Sequence, residues 1–431
     1  MNRLAKDVVS EKKYLELGTS GLHRYAGHVH EEFLRELQGR RGMELYKEMS
    51  DNDPIIGAIF FVVDMLIREV DYRVQPYSDS PEDVRMAEFV EECMMDMSHS
   101  WEDLISEILS MLIFGWSYHE IVYKRRLGDS KDPTKNSKHN DGLIGWRKMP
   151  IRAQETLWKW EFDEEGGIQG MYQQAPPDWL MRFIPIEKSL LFRTTIRKNN
   201  PEGRSVLRNA YRAWYFKKNI EEIEGIGIER DLAGLPVAWV SPNILSPDAS
   251  AEEKALFEEI KKIVINIRRD EQEGVIFPLA YDEQGNKMFN LELLSTGGRR
   301  QFDTSQIIAR YDQRITMVVL ADFILLGHEG VGSFALADEK TNIFTMALRT
   351  WVKNITEVFN AHAIPKLMRL NGFKTTELPR IEPNIVSTIP FAEVGKYISE
   401  LAGAGMPLFP NEEIESYLLS LANVPTGERG T

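Results

Sequence analysis

The stretch Pro201-Glu-Gly-Arg-Ser-Val-Leu-Arg-Asn-Ala-Tyr-Arg-Ala-Trp-Tyr-Phe-Lys-Lys218 begins the part of the chain that decides the fold. Its pattern predicts a helix over residues 205–224, and a second amphipathic helix is predicted over 303–322. A small module lies between them, and the glycine-rich stretch Leu326-Gly-His-Glu-Gly-Val-Gly-Ser333 leads into a long predicted helix, 334–370. Two helices separated by an insert are an unusual plan for an enzyme pocket. This plan is typical of a subunit whose helices line a channel shared by several copies of the chain.

The chain before residue 201 predicts a mixed α+β region. Asp53-Pro54 supplies a helix cap and a first-turn proline, and apolar residues then recur at helical spacing to Val70. Residues 1–45 are polar with glycine breaks and predict a loosely held arm, while the charged stretch 124–140 predicts an exposed loop. Further helices are predicted at 81–97 and 101–114, and strands at 71–76, 115–123, 143–148, 156–162, 168–173 and 190–194.

The insert and the C-terminal part are also mixed. Pro365 predicts a kink in the long helix, and Asn371-Gly372 predicts its end. The insert predicts a strand, a helix and two strands at 235–242, 251–268, 274–278 and 288–294; an extended piece at 378–383 and helices at 391–401 and 411–421 complete the chain.

Composition limits the possible functions. The 431 residues suggest about three domains, and the formal net charge is −14 with a pI near 5.3. Proteins that grip nucleic acid through its phosphates normally carry a basic surface. The acidic balance therefore disfavours tight nonspecific DNA binding, although an acidic chain can confine DNA without gripping it.

The cysteine count and the hydropathy exclude two further classes. The single cysteine, Cys93, excludes an internal disulfide and a multi-cysteine metal site, and it is expected to be a buried apolar residue. The apolar stretches 55–67 and 105–114 are shorter than the roughly 20 residues that a membrane span needs. No secretory signal is recognisable at the N-terminus, so a soluble protein made inside the cell is expected.

No motif predicts a catalytic, cofactor or metal site. The loop at Gly327 lacks the lysine of a Walker A motif, and a helix rather than a strand precedes it. His119 lies in a predicted strand and is expected to be a satisfied or surface histidine. The cluster His23, His28, His30, Glu31 and Glu32 does not match zinc-binding spacings and is interpreted as a solvated arm. We therefore expect no cofactor and no enzymatic activity.

Several segments together resemble the portal proteins of tailed bacteriophages. They are residues 59–76, the pair 101–123 with Phe-Gly-Trp-Ser-Tyr-His-Glu-Ile-Val, and the helix–loop–helix 303–360. The segment Gly203-Arg-Ser-Val-Leu-Arg208 is similar to the family's Gly-x-Ser-x-Leu-Arg, the entry into the first stem helix. The resemblance extends over about 53–425.

The resemblance implies an α+β, portal-type fold. This fold has an α/β wing, a two-helix stem, a small α/β clip, a long helix after a tunnel loop, and a helical C-terminal crown. The implied division is arm 1–45, wing 46–204, stem helix 205–231, clip 232–295, second stem helix 296–322, tunnel loop 323–334, wing helix and strand 335–385, and crown 386–431.

The same resemblance implies the function and the partners. Copies of the chain would form a ring of about twelve subunits at one capsid vertex, through which double-stranded viral DNA is packaged and ejected. The implied partners are the large terminase, a head-completion adaptor, and the major capsid and scaffolding proteins, with no membrane. The implied location is the virion, and the host cytoplasm during assembly.

The resemblance also places candidate functional residues, which fall in three groups. The tunnel loop would present Leu325, Leu326, Gly327, His328, Glu329, Gly330, Val331, Gly332 and Ser333 to the DNA. The stem channel would contain Lys217, Glu221, Glu224, Arg310 and Arg314, and the clip would offer Glu252, Glu253, Glu258 and Glu259 to a docking partner.

Two other classes remain open from the sequence. One is a different phage head or connector protein, such as an adaptor or a minor head protein, although an adaptor is usually much shorter. The other is a metal- or nucleotide-dependent enzyme, which would need convergent ligands that the sequence does not display.

Overall fold

The computed structural model describes residues 18–233, 235–240, 242–247, 249–266, 281, 290–294, 303–318 and 334–384. The chain forms two compact units: unit 1 is Met1–Arg208 with Leu326–Thr431, and unit 2 is Asn209–Leu325. Helices and antiparallel strand pairs occur in both units, which confirms the predicted α+β class.

The described helices are α1 (Gly39–Asn52), α2 (Pro54–Arg68), α3 (Pro81–Met95), α4 (Trp101–Phe114), α5 (Tyr211–Ala233), α6 (Ala251–Asn266), α7 (Thr304–Val318), α8 (Phe334–Val358) and α9 (Ile364–Leu370). The described strands are β1 (Arg24–Tyr25), β2 (His28–Val29), β3 (Asp71–Gln75), β4 (Trp116–Glu120), β5 (Val122–Arg125), β6 (Ile144–Lys148), β7 (Leu157–Phe162), β8 (Ile168–Gln174), β9 (Met181–Pro185), β10 (Ser189–Arg193), β11 (Leu235–Trp239), β12 (Asn290–Leu294) and β13 (Arg380–Asn384).

Local capping explains where the early helices of unit 1 begin and end. The Asp53 carboxylate accepts hydrogen bonds from the backbone N–H groups of Ile55 and Ile56, and Pro54 occupies the first turn of α2. Helix α4 ends at Gly115, whose φ of 97° is left-handed and is therefore adopted most easily by glycine. The predicted helix starts at residues 54, 81 and 101 are confirmed.

An aromatic core fills the region where the short sheets of unit 1 meet. Strand β4 pairs with β10, and β7, β8 and β9 form a three-stranded antiparallel sheet. The buried residues of one core cluster are Met43, Trp116, Tyr118, Trp160, Met171, Ile184 and Leu191. Cys93 is buried as expected, and burial raises the pKa of its thiol to about 11.

The expectation of a satisfied or surface histidine holds for only one ring nitrogen of His119, because the buried Nε2 has no hydrogen-bond partner among the described residues. Its side chain is fully buried, and its Nδ1 lies 2.9 Å from the carbonyl oxygen of Met149. Burial lowers the pKa of the ring to about 4, so the imidazole is neutral at ordinary pH. It serves the packing of β4 against Phe192, whose ring centroid lies 5.6 Å away.

The C-terminal part of unit 1 is joined to the N-terminal part by hydrogen bonds and ring contacts. Strand β13 pairs antiparallel with β3, and Asn360 exchanges two hydrogen bonds with the backbone of Ile381 in β13. Phe359 is fully buried, with ring centroids 4.8 Å from Trp101 and 5.4 Å from Phe192. The π-helical turn that contains Phe359 therefore closes the core that α4 and β10 begin.

The long predicted helix changes its winding before Pro365. Helix α8 ends at Val358, residues Phe359–Ala363 form a π-helical turn, and α9 follows. A proline nitrogen cannot donate the usual helical hydrogen bond, so a wider turn just before it relieves the mismatch. The irregularity expected at Pro365 is thus present as a π-helical turn.

The expected loop 124–140 is exposed over most of residues 127–136, but the expectation is wrong near its ends, where Lys124, Arg126 and Ser137 are buried. The Lys124 side chain is 4% exposed, and its Nζ lies 3.0 Å from a carboxylate oxygen of Asp96, which is equally buried. Ser137 donates to the same carboxylate at 2.6 Å, and the backbone N–H of Lys138 donates to its other oxygen at 2.8 Å. These buried contacts anchor the loop to the end of α3.

The expected loose arm 1–45 is also wrong for its last residues. Helix α1 begins at Gly39, and Leu37 and Met43 are buried. The pattern was missed because few apolar residues of this segment recur at helical spacing before Met43.

Two strand predictions need correction. The strand predicted at 115–123 is broken at Ile121, whose N–H donates to the carbonyl of Lys188 between β4 and β5. Strand β9 was not predicted, and it is held by its pairing with β8.

Unit 2 contains the two helices that were predicted at 205–224 and 303–322, and part of the module between them. Helices α5 and α7 pack together, and β11 pairs antiparallel with β12 beside α6. The predicted strand 274–278, most of the predicted loop 323–334 and the predicted helices 391–401 and 411–421 lie outside the described residues. Helix α8 begins at Phe334, one residue inside the expected loop.

Candidate functional site

The first part of the candidate site is the antiparallel pair α5–α7. Lys217 of α5 and Asp312 of α7 form a salt bridge of 2.6 Å, and Thr304 of α7 donates a hydrogen bond to Glu224 of α5. The rings of Phe216 and Tyr311 stack near these contacts, with centroids 6.4 Å apart. The early residues of α7 thus lie beside the later residues of α5, which fixes the direction of the pair.

The five predicted stem residues fall into two groups. Lys217, with its side chain only 2% exposed, and Glu224, which accepts a hydrogen bond from Thr304, lie between the helices. Glu221 is 47% exposed on its side chain and lies 3.9 Å from the Lys217 Nζ, while Arg310 and Arg314 are exposed on α7. The guanidinium groups of Arg310 and Arg314 lie 5.4 and 5.7 Å from the centroid of the Tyr311 ring.

The four predicted clip acids lie on α6 but differ in their contacts. Glu253 accepts a hydrogen bond from the Ser250 N–H at 2.8 Å, and the Ser250 hydroxyl accepts from the Glu253 N–H at 3.2 Å. This reciprocal capping box holds the pKa of the Glu253 carboxyl below its ordinary value. Glu258 bridges to Lys261 at 3.3 Å, whereas Glu252 and Glu259 are exposed.

The predicted tunnel-loop residues, Leu325 to Ser333, lie outside the described residues. Helix α7 ends at Val318, and the described chain resumes at Phe334.

The second part of the candidate site is the segment 203–208 of unit 1, through which the chain approaches α5. A Cβ atom on Gly203 would lie 2.2 Å from the carbonyl oxygen of Gly115, and Gly203 has a left-handed φ of 54°. Ser205 donates to the carbonyl of Ile113 and accepts the N–H of Leu207 at 3.1 Å. Leu207 itself is fully buried. The segment is therefore fixed against the end of α4.

Arg208 completes this segment through a partner that sequence reasoning missed. Its Nε and Nη2 donate to the two carboxylate oxygens of Glu32, at 2.6 and 2.8 Å. Partial burial alone would raise the pKa of Glu32, but the hydrogen bonds from Arg208 and Leu34 hold that pKa below its ordinary value. The two residues are 176 positions apart, so no local signal joins them.

The expectation of a solvated arm is thus wrong for the partly buried Glu32, whereas Glu31 is exposed as expected but has partners. Glu31 accepts a hydrogen bond from the N–H of His23 at 2.8 Å and pairs with Lys198 at 3.0 Å. Among the residues that the structure describes, no group of three or more His, Cys, Asp or Glu side chains is arranged to hold a metal ion.

Glu202 lies beside this segment in an unusual environment. It lines a cleft of about 310 Å³ together with Glu32 and Tyr46, and its carboxylate accepts a hydrogen bond from the Trp160 indole at 3.2 Å. Burial raises the pKa of the Glu202 carboxyl to about 7, against which the Trp160 hydrogen bond acts only partly. The carboxyl therefore keeps its proton to a higher pH than an ordinary glutamate does.

Within the described residues, no helix is both long enough and apolar enough to cross a membrane.

Comparison with known proteins identifies similar chains. Residues 43–417 match the family model described as the portal protein of Mu bacteriophage. A chain from the neck of an empty gene transfer agent (GTA) particle, computed with C6 symmetry, is 11% identical, with a TM-score of 0.55. A chain from the neck of the native GTA particle, computed with C12 symmetry, is 10% identical, with a TM-score of 0.54. Each match covers 94% of this chain and 97% of the other.

A crystal structure of an HK97 family phage portal protein from Corynebacterium diphtheriae is also similar. It is 11% identical, covers 78% of this chain and 95% of its own, and has a TM-score of 0.42.

Proposed function

The chain belongs to the family of the Mu bacteriophage portal protein, a structural and non-enzymatic component of the virion, and on that premise we propose that its copies form a ring-shaped channel at one capsid vertex. Viral double-stranded DNA passes through this channel during packaging and ejection. The match over residues 43–417, most of the chain, is the observation that carries the proposal.

The ring proposal has a second support in unit 2. The α5–α7 pair leaves large apolar side chains exposed, among them Ile223 at 68% and Ile226 at 49%. An isolated helix pair of this kind gains stability from neighbours. The neck of the native GTA particle was computed with C12 symmetry, and we propose a ring of about twelve copies by analogy with that assembly.

The proposed division into parts is the one that the family resemblance implies. We assign the wing to 46–204 and 335–385, the stem to 205–231 and 296–322, the clip to 232–295, the tunnel loop to 323–334 and the crown to 386–431. The arm comprises 1–45.

We propose that the α5–α7 pair forms the channel wall and that the exposed Glu221 carboxylate faces the DNA, whereas Glu224 is held between the helices by its hydrogen bond from Thr304. A wall of carboxylates repels the phosphates and neutralises none of them. No counterions are then released to favour binding, so the duplex stays mobile. Lys217 acts differently, because its burial and its salt bridge to Asp312 make it a residue that positions the two helices.

The remaining partners belong to the two ends of the ring. The tunnel loop, with Leu325, Leu326 and Val331, contacts the passing DNA. The clip docks the large terminase during packaging and a head-completion adaptor afterwards, through its exposed acids Glu252 and Glu259. The major capsid and scaffolding proteins surround the ring, which assembles in the host cytoplasm before it becomes part of the virion.

Electron microscopy of the purified protein, combined with its native mass, tests this function. We expect rings with a central hole and a mass of about twelve times 49.6 kDa. A resolved map is also expected to place α5, α7 and the loop 323–333 at the channel, and α6 at one end. Monomers alone over a wide concentration range would contradict the ring, and rings with α5 and α7 away from the hole would contradict the stem assignment.

A further inference from the structure

Each helix of the α5–α7 pair has a stripe of side chains that lies away from the other helix. On α5 the stripe has residues at i, i+4, i+7 and i+11, and we call it the α5 stripe: Tyr215, Asn219, Glu222 and Ile226. On α7 the same spacing gives the α7 stripe: Gln306, Arg310, Gln313 and Met317. Tyr215, Ile226 and Met317 are 47%, 49% and 56% exposed, and Glu222, Gln306, Arg310 and Gln313 are exposed as well.

The stripes lie roughly opposite the faces that join the two helices. Within the pair, Lys217 of α5 forms a salt bridge with Asp312 of α7, and Glu224 of α5 accepts a hydrogen bond from Thr304 of α7. Successive helical residues are turned by about 100°, so Glu222 and Arg310 point well away from these contacts. Both stripes are therefore accessible to another molecule.

The stripes carry complementary charge. Arg310 and its flanking neighbour Arg314 contact the Tyr311 ring, and among the described residues neither forms an ion pair. The Glu222 side chain of the α5 stripe likewise forms no ion pair or hydrogen bond with the described residues. One helix thus offers an unpaired carboxylate and the other offers two unpaired guanidinium groups.

The stripes also match in height along the pair. The contacts Lys217–Asp312 and Glu224–Thr304 place Glu222 level with Gln306. Arg310 is four residues further along α7, which is about 6 Å. An arginine side chain spans that distance, so a guanidinium at 310 reaches a carboxylate at 222 when the two stripes face each other.

We propose that the α7 stripe of one copy packs on the α5 stripe of the next copy, with Arg310 paired to Glu222 of the partner subunit. The two surfaces are different, so the contact is head-to-tail and closes into a ring when the rotation allows. Gln306 and Gln313 supply hydrogen-bond donors and acceptors along the same stripe. The occupant of each stripe is therefore a second copy of this chain. This inference rests on the ring proposed above.

Charge reversal with rescue tests the contact. We expect Glu222→Arg and Arg310→Glu each to raise the protein concentration needed for half-maximal ring formation by about tenfold or more, because each places like charges opposite one another. The double variant restores the pair in reversed order, so it is expected to assemble near the wild-type concentration. Native mass measurements over a dilution series report the ring fraction. The control is Glu88→Arg, an exposed position on α3, which is expected to leave assembly unchanged.

The outcomes separate this contact from the ring itself. If the wild-type protein forms no rings, the proposed function fails and the contact fails with it. If the wild type forms rings but the single reversals do not weaken them, or the double variant is weaker than either single variant, the contact is overturned and the ring stands. Circular dichroism verifies folding. If a charge-reversal variant fails to fold, Glu222→Gln, Arg310→Gln and the double variant replace it. The fold increase in the concentration for half-maximal ring formation must then be smaller in the double variant than the product of the two single increases.

Discussion

The core of unit 1 and the α5–α7 pair of unit 2 bury their large side chains to different degrees. In unit 1, Phe359 contacts both Trp101 and Phe192, and all three rings are almost completely buried within a single chain. In the α5–α7 pair, Ile223 and Ile226 remain exposed to a large extent. The comparison teaches that the core of unit 1 is completed within its own chain, whereas the α5–α7 pair leaves part of its apolar surface uncovered.

The largest expected effect is a core deletion in unit 1. Phe359→Ala removes a fully buried ring from its contacts with Trp101 and Phe192, and it should lower the free energy of unfolding by about 3–5 kcal/mol. The matched change Ile223→Ala, at a position that is 68% exposed, should alter the stability of the monomer by about 0.5 kcal/mol or less. Urea unfolding followed by tryptophan fluorescence measures both. Equal losses in the two variants would refute the contrast between the units.

The second prediction compares two glycines in contrasting surroundings. Gly203→Ala should lower the free energy of unfolding by about 2–4 kcal/mol. Alanine disfavours a φ of 54°, and its Cβ would collide with the Gly115 carbonyl. Gly225→Ala is the control: it lies within α5, its Cβ would meet nothing within 4 Å, and helix propensity favours alanine by about 1 kcal/mol. The same unfolding measurement is used. A destabilised Gly225→Ala or an unchanged Gly203→Ala would contradict the prediction.

The features that the sequence predicted correctly depend on neighbouring residues. The Asp53-Pro54 signal, the apolar periodicity of α2 and α4, and the helix–insert–helix plan of unit 2 are all encoded within short windows. The family resemblance also selected Gly203-Arg-Ser-Val-Leu-Arg208, and the structure gives this segment a close glycine approach and a buried leucine.

The features that could not be predicted from the sequence depend on contacts between residues far apart in the chain. Lys124 is buried because Asp96 lies beside it, 28 positions away, and a charged stretch is otherwise typical of an exposed loop. Strand β9 shows no clean alternation, since Met181, Arg182 and Phe183 are all exposed, and it exists through its pairing with β8. The partner of Arg208 in the candidate site could not be predicted for the same reason.

The third prediction concerns the pH dependence of unit 1 at Glu202. Its pKa is about 7 in the folded chain and near 4.5 when unfolded, so the folded state retains a proton that the unfolded state releases between these values. The contribution to stability is therefore greatest below pH 4.5, falls as the pH rises to about 7, and is constant above it. Glu202→Gln keeps the acceptor for Trp160 and removes the titration.

Unfolding of the wild type and of Glu202→Gln from pH 4.5 to 8 measures this effect. The difference between the two curves should change by an amount on the order of 1–3 kcal/mol across that range, with the variant relatively more stable at high pH. Parallel curves would show that Glu202 ionises normally in the fold.

The smallest expected effect compares two ion pairs of the N-terminal segment, Arg208–Glu32 and Lys198–Glu31. The Arg208 pair is bidentate, with both side chains about one-quarter exposed, whereas the Lys198 side chain is 45% exposed. Arg208→Ala should therefore lower the free energy of unfolding by about 1–2 kcal/mol at pH 7, and Lys198→Ala should lower it by about 0.5 kcal/mol or less.

The pH dependence of the Arg208→Ala loss gives a further check on the mechanism. The pKa of Glu32 is lowered in the fold, so the stabilisation is present above its unfolded value of 4.5 and is lost as the pH falls through the folded value. The loss caused by Arg208→Ala should accordingly shrink on acidification, and unfolding measurements between pH 3 and 7 report it. A loss that is independent of pH would mean that Arg208 acts through the packing of its side chain and not through the Glu32 carboxylate. A loss no larger than that of Lys198→Ala would mean that the bidentate geometry adds nothing to the exposed pair.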